Sequence, residues 1–124
     1  MINGKTALVG LLGEPVSHSL SPIMHNEAFS ILGLDWCYLA MPCKDKDLKL
    51  ALKALRALNC KGLNITIPHK QAVVALCDEL SPIAKKLGAV NTLIPRPQGG
   101  WIGTNTDVEG FLAPLKKSEK KWNG

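Results

Sequence analysis

Hydrophobic and polar positions follow two different periods along this chain, and their alternation predicts strands interleaved with helices. Residues 6–12 form an apolar run, as expected of a strand that is buried on both faces of a parallel sheet. Residues 45–58 place leucines at helical spacing opposite a lysine-rich face, which indicates an amphipathic helix. This alternation predicts an α/β fold with three α-β-α layers and a mostly parallel sheet.

The remaining elements follow from turn and capping signals. Ser21 is predicted as the N-cap and Pro22 as the first residue of a helix that ends at Gly33. Further strands are predicted at residues 36–40, 62–67, 89–94 and 101–103, the last as an antiparallel hairpin strand after a turn at 97–100. Further helices are predicted around residues 73–76, at 82–87 and at 108–115.

The strand at residues 62–67 breaks local rules in a way that is typical of functional sites. Asn64 and Thr66 interrupt its apolar pattern, and Lys70 follows near a helix N-terminus, where the helix dipole disfavours a cation. A partly exposed strand end followed by a surface lysine would give the same pattern.

Other polar residues also follow or end predicted strands. The loop after the first strand carries Ser19 and Ser21, and hydroxyl groups near a helix N-terminus suit a carboxylate or a phosphate. Ser81 begins a helix in a similar Ser-Pro-Ile context, so plain capping is the competing interpretation. Asn91 and Asp107 lie in or after later strands. Because α/β sheets bind ligands beyond the carboxyl ends of their strands, all these residues could share one crevice.

Composition and charge narrow the function classes. A chain of 124 residues with 46% hydrophobic and 20% charged residues is typical of one globular domain. The net charge of +5 is concentrated in a lysine-rich tail, and this pattern does not favour a nucleic-acid surface. The apolar run at 6–12 is too short to cross a membrane. Four cysteines without a C-x-x-C pair indicate reduced thiols in a cytoplasmic protein, and no metal site is expected.

Four motifs together carry a resemblance to a known family: GEPVSHSLSPIMHN, NITIPHK, LGAVNTL and GTNTD. In this order and spacing they resemble the N-terminal substrate-binding domain of shikimate dehydrogenase, over about residues 6–115. The resemblance implies an oxidoreductase that reduces 3-dehydroshikimate to shikimate with NADPH in aromatic amino acid biosynthesis.

The resemblance also assigns roles residue by residue. It implies that Lys70 and Asp107 are the catalytic pair, in which Lys70 exchanges the proton of the reacting oxygen. It implies a substrate site formed by Ser19, Ser21, Asn64, Thr66, Lys70, Asn91 and Asp107. Of these, the two serines match residues that bind the substrate carboxylate, and the asparagines, Thr66 and Asp107 match residues that bond the ring hydroxyls.

The chain departs from the family in one respect, since no G-x-G-x-x-G turn follows the last predicted helix. We expect a substrate-binding domain at residues 1–107, followed at 108–124 by an interdomain helix and the lysine-rich tail. The dinucleotide-binding domain, and with it the NADP site, is expected to be absent from this chain, which alone should be inactive. Apolar residues that this domain would cover, such as Phe111, Leu112 and Leu115, are expected to support a homodimer.

Two alternatives stay open at this point. A quinate/shikimate dehydrogenase half that uses NAD or NADP has similar motifs, although Thr66 favours the shikimate-specific form by resemblance. A binding module for polyhydroxy carboxylates without catalysis is an alternative of another class.

Overall fold

A computed structural model describes residues 1–106 of the chain. Within this range the strands are β1 (Ala7–Gly13), β2 (Trp36–Pro42), β3 (Gly62–Ile65), β4 (Glu79–Leu80), β5 (Thr92–Pro95) and β6 (Trp101–Thr104). The α-helices are α1 (Ser21–Leu32), α2 (Leu48–Ala57), α3 (His69–Ala72) and α4 (Pro82–Leu87), and 3₁₀ turns precede α2 and follow α3. The predicted helix at 108–115, with Phe111, Leu112 and Leu115, lies outside the described residues.

The described strands form one sheet in the order β2-β1-β3-β5-β6-β4. β1 pairs in parallel with β2 and β3, and β4 pairs in parallel with β6. β5 is antiparallel to both of its neighbours, β3 and β6. The predicted α/β class and mostly parallel sheet are therefore confirmed, with the reversed strand being β5, the first strand of the predicted hairpin.

Two apolar clusters occupy the two faces of the sheet, which confirms the three-layer arrangement. The smaller cluster lies beneath α1 and contains Val9, Leu11, Val16 and Tyr38, with Phe29 packed against it. The larger cluster lies beneath α2, α4 and the 3₁₀ turn after α3, and it includes Leu12, Leu48, Leu52, Leu63, Ile65, Val73, Ala84 and Leu93. Side chains of β1 alternate between the two clusters, because successive residues of a strand point to opposite faces.

Some predicted boundaries are wrong in ways that bear on the site. β3 ends at Ile65, and Ile67 is 67% exposed, because the chain has left the sheet before Pro68. Leu58 is 74% exposed, since α2 ends at Ala57 and Leu58 lies beyond the face that contacts the core. The two-residue strand β4 was not predicted.

Among residues 1–106, no helix is long and apolar enough to cross a bilayer. All four cysteines lie in this range and are free thiols. Three or more potential metal ligands do not come together anywhere within it.

Candidate functional site

The reversed direction of β5 brings the polar residues to one edge of the sheet. β1, β3 and β6 end at this edge, and β5 begins there, since Asn64 near the end of β3 pairs with Thr92 at the start of β5. Thr92 pairs in turn with Thr104, the last residue of β6. The loop serines, the β3–α3 connection and Asn91 therefore emerge from the same edge. Asp107, the second member of the predicted catalytic pair, lies outside the described residues.

A row of hydrogen bonds runs along this edge. The phenol of Tyr38 donates to Asn64 Oδ1 at 2.8 Å, and Asn64 Nδ2 donates to Thr92 Oγ1 at 3.3 Å. Thr92 Oγ1 donates to Asn91 Oδ1 at 3.0 Å. The backbone N–H of Thr106 donates to the same Asn91 oxygen at 2.8 Å. The row thus joins the two predicted asparagines, although Asn64 lies in β3 and Asn91 lies just before β5.

Asn91 is the most buried of the predicted site residues in the described range, at 7% exposure. Its carbonyl oxygen is occupied by the Thr92 and Thr106 donors. Its amide nitrogen is therefore the group that Asn91 can offer to a ligand. A buried amide that is held by several protein partners suits the recognition of a ligand hydroxyl or carbonyl.

The loop serines differ from the predicted capping arrangement. The N-cap of α1 is Leu20, without a side-chain cap among the described residues, and Ser21 is the first helical residue. The prediction of Ser21 as the N-cap is therefore wrong, because the helix begins at Ser21 itself, one residue earlier than that role requires. Ser19 Oγ accepts from the Ser21 N–H at 3.1 Å. This bond leaves the hydroxyl proton of Ser19 for another acceptor.

Ser81 shows what a plain cap looks like in this chain. It is the N-cap of α4, and its hydroxyl accepts from the Ala84 N–H at 3.3 Å. The similar sequence at Ser21 therefore produces a different local structure. Helix capping explains why a serine is present at position 81, but it does not explain the presence of Ser19 and Ser21.

Thr66 connects the serine loop with the end of β3. Its backbone N–H donates to the Leu12 carbonyl at 3.0 Å, and it lines a cavity of about 230 Å³ together with Ser19 and His18. The Thr66 methyl group packs against Gly13, where an added Cβ would lie only 2.2 Å from it. The absence of a side chain at Gly13 therefore permits the position of Thr66.

Lys70 lies in α3, half-buried, directly after His69. The Lys70 carbonyl accepts from the Val90 N–H at 2.8 Å, which brings α3 beside the chain just before Asn91. His69 is fully buried; its Nε2 bonds to the Cys43 carbonyl, and its Nδ1 lies 3.6 Å from the exposed carboxylate of Asp45. His69 therefore anchors the base of the helix that carries Lys70, a role that was not predicted.

Sequence reasoning also missed three members of the hydrogen-bonded row: Tyr38, Thr92 and Thr106. Tyr38, the sole tyrosine of the chain, lies in the strand predicted at 36–40, and that pattern assigns no role to its hydroxyl. Tyr38 is 3% exposed. Burial raises the pKa of its phenol above the ordinary value, and Ser21 lowers that pKa in part. The two threonines adjoin Asn91 and Asp107 in sequence, which was the available signal.

The described residues do not fit a dinucleotide. The turn after β1, where such folds hold a pyrophosphate, carries the exposed Glu14 followed by Pro15. A carboxylate repels a pyrophosphate, and proline supplies no backbone N–H.

This architecture defines an α/β ligand-binding domain with a polar site at the edge where its strands end. Residues 11–93 match the family described as the shikimate dehydrogenase substrate binding domain, and the chain belongs to that family. The fold class and four motifs predicted this membership, which is confirmed.

Individual relatives place the chain within the family. It is 60% identical over 116 residues to shikimate dehydrogenase (NADP(+)) of Prochlorococcus marinus strain MIT 9301, covering 94% of this chain and 41% of the relative. Among solved structures, the chain is similar to shikimate 5-dehydrogenase from Listeria monocytogenes in complex with shikimate and NAD. The two sequences are 45% identical and the TM-score is 0.87, and the match covers 95% of this chain and 40% of that one. The chain thus spans about two fifths of the length of these relatives.

A third solved structure bears a different name. The ligand-free 5-ketofructose reductase of Gluconobacter sp. strain CHM43 is 34% identical, with a TM-score of 0.86, covering 93% of this chain and 41% of that one. The same fold therefore serves a relative whose name refers to another polyhydroxylated compound.

Proposed function

We propose that this chain is the substrate-binding part of an NADP-dependent shikimate dehydrogenase and that its site binds shikimate and 3-dehydroshikimate. The observation that carries the proposal is the hydrogen-bonded row from Tyr38 to Thr106, which fixes the donors of Asn64 and Asn91 at one sheet edge. A small polyhydroxylated ligand needs several such donors and acceptors in fixed positions. The names of the relatives support the substrate and the cofactor.

In this proposal Ser19 and Ser21 bind the ligand carboxylate, and Asn64, Thr66, Asn91 and Asp107 bond its ring oxygens. Lys70 delivers a proton to the reacting oxygen, or accepts one from it, and stabilises the charge that develops there. Asp107 pairs with the Lys70 ammonium. NADP supplies the redox chemistry, and the chain alone is expected to be inactive. We expect the protein to be cytoplasmic, and its four free thiols support this expectation.

Three alternative functions share this site. A quinate/shikimate dehydrogenase half using NAD or NADP needs the same carboxylate and hydroxyl contacts. The similarity to 5-ketofructose reductase favours a second candidate, a polyhydroxy ketone without a carboxylate. A non-catalytic polyhydroxy-carboxylate-binding module would retain the binding contacts without using Lys70 as an acid or base.

We also infer that a second copy of the chain is a partner. Among residues 1–106, β2 forms one edge of the sheet and is seven residues long. Apolar side chains on and around it are exposed: Ile23, Met24, Ile31, Leu32, Trp36 and Leu39. A long unpaired edge with apolar neighbours favours pairing with another strand, and a two-fold axis would pair the same edge of both copies.

The test of the proposed site compares two serines that precede helices in similar sequence. We expect Ser19→Ala to weaken shikimate binding by about tenfold, because a charge-assisted hydrogen bond contributes roughly 1.5–3 kcal/mol at most. Ser81→Ala should leave the affinity unchanged and lower stability by about 1 kcal/mol, as for a lost helix cap.

Isothermal titration of each purified variant with shikimate, quinate and 5-ketofructose measures these affinities. Tight binding of quinate would favour the first alternative. Binding of 5-ketofructose that is insensitive to Ser19→Ala would favour the polyhydroxy ketone. Equal effects of the two serine substitutions on shikimate affinity would leave Ser19 without a binding role.

A further inference from the structure

The direction of the hydrogen-bonded row is set by one backbone group. The Thr106 N–H can only donate, so the atom of Asn91 that faces it at 2.8 Å must be the carbonyl oxygen. Thr92 Oγ1 lies 3.0 Å from the same oxygen and must give its only proton to it. Thr92 Oγ1 can then only accept from Asn64, which places Asn64 Nδ2 toward Thr92 and Asn64 Oδ1 toward Tyr38.

Tyr38 completes this assignment at the other end. Its phenol lies 2.8 Å from Asn64 Oδ1 and must donate there. Because burial raises the Tyr38 pKa, the phenol keeps its proton at neutral pH. One N–H of the Asn64 carboxamide is used by Thr92, and one remains for a ligand.

Tyr38 is itself held from two sides by α1. Asn26 brackets its backbone, donating from Nδ2 to the Tyr38 carbonyl at 2.9 Å and accepting from the Tyr38 N–H at 2.8 Å. The His25 ring stacks on the phenol ring with centroids 4.4 Å apart and planes 9° from parallel. These contacts fix the hydroxyl in the position from which it reaches Asn64.

We propose that Tyr38 is a positioning residue and a determinant of ligand specificity. By donating to Asn64 Oδ1, it holds the Asn64 carboxamide so that this position offers an N–H donor to a ligand oxygen. Without the phenol hydroxyl, the Asn64 carboxamide is held only through its Nδ2 bond to Thr92 at 3.3 Å, and it can swing away from the position in which its second N–H faces a ligand oxygen. The inference rests on the proposed function, since it assumes that Asn64 contacts the ligand.

The test is a double-mutant cycle in this chain with shikimate as the probe. Tyr38→Phe removes the hydroxyl and keeps the ring that stacks on His25. We expect it to weaken shikimate binding roughly threefold to tenfold, the scale of one lost hydrogen bond. In an Asn64→Ala background the same substitution should change the affinity by less than about twofold.

The cycle separates positioning from structural support. Equal losses in the two backgrounds would show that Tyr38 acts through packing or through Ser21, and would overturn the proposal. An unchanged affinity for Tyr38→Phe in the otherwise natural chain would overturn it as well. A melting temperature is recorded for every variant, because a purely structural role lowers stability in both backgrounds without the coupling in affinity.

A ligand-free measurement keeps this inference distinct from the proposed function. Nuclear Overhauser effects between the Asn64 amide protons and the Thr92 side chain should be present in the natural chain and reduced in Tyr38→Phe. Identical effects in the two proteins would overturn the positioning role whether or not shikimate binds. Absence of shikimate binding to the natural chain, with the expected change in these effects, would contradict the proposed function while leaving the Tyr38–Asn64 link supported.

Discussion

At the scale of single residues, the candidate site includes charged and polar side chains that are removed from solvent, and removing such groups from water costs free energy. Lys70 lies half-buried in α3, a single helical turn of four residues. The fully buried His69 beside it holds the start of this helix to the chain at Cys43. A cation maintained in such a place by a buried neighbour suits a residue that exchanges protons with a ligand.

Lys70 is tested by joining this chain to the remaining part of its 60% identical Prochlorococcus relative. We expect Lys70→Ala to lower kcat by roughly 10²- to 10⁴-fold, the usual contribution of a general acid–base group, with a smaller effect on substrate binding. Lys85→Ala is the control, because Lys85 is exposed on α4. Steady-state rates of NADP⁺ reduction by shikimate measure both. A near-normal kcat for Lys70→Ala would remove Lys70 from the mechanism.

The sequence was informative about residues that break a local pattern. Asn64 and Thr66 interrupt an apolar strand and Lys70 opposes a dipole, so each could be selected as a candidate before the structure was known. Tyr38 and Thr92 break no pattern, since an aromatic and a β-branched residue are ordinary in strands. Their importance comes from hydrogen bonds between different strands, which the pattern of one strand does not contain.

At the scale of elements, the site requires β1 and β3 to approach closely. The Gly13 position lies against Thr66, with an added Cβ only 2.2 Å from the Thr66 methyl carbon and 3.1 Å from the Ile67 carbonyl oxygen. Gly62, at the start of β3, has its nearest heavy atom 3.7 Å from such a Cβ. The two glycines thus lie in adjacent strands but differ in the space around them.

This difference makes a matched pair of substitutions. We expect Gly13→Ala to displace Thr66, to lower stability by about 1–3 kcal/mol as in overpacked interiors, and to weaken shikimate binding. Gly62→Ala should leave both quantities nearly unchanged, because its added methyl group meets ordinary contact distances. Urea denaturation and shikimate titration measure the two effects. Similar outcomes for the two variants would show that the contact between Gly13 and Thr66 does not shape the site.

The elements themselves were largely predictable, but the direction of β5 was not. Apolar periodicity located β1, β2 and α2, because it reflects which faces are buried. It carries no information on strand direction, which depends on how a strand pairs with neighbours far away in sequence. Asn91 lies just before β5. Because β5 runs in the reverse direction, its start lies at the edge where β1, β3 and β6 end, and Asn91 therefore lies at this edge.

At the scale of the whole molecule, the sheet is covered unevenly. α1 has no fully buried residue within its described length, and several of its apolar side chains face solvent. The neighbouring strand β2 forms one edge of the described sheet. The larger cluster on the opposite face, in contrast, is covered by α2, α4 and the 3₁₀ turn after α3. An interface between two copies is therefore expected at the α1–β2 side.

The last prediction concerns this side of the molecule. Leu39 is 48% exposed on the edge strand β2, and Leu50 is 69% exposed on α2. A lysine on an edge strand opposes strand pairing between chains, because two copies would bring like charges together and bury them. We expect the natural chain to form dimers. Leu39→Lys should raise the dissociation constant of the dimer at least tenfold, which corresponds to about 1.4 kcal/mol. Leu50→Lys should behave like the natural chain. Light scattering across a dilution series measures the three proteins. Dimers that persist in Leu39→Lys, or a natural chain that is monomeric at high concentration, would show that the β2 edge is not where copies of this chain meet.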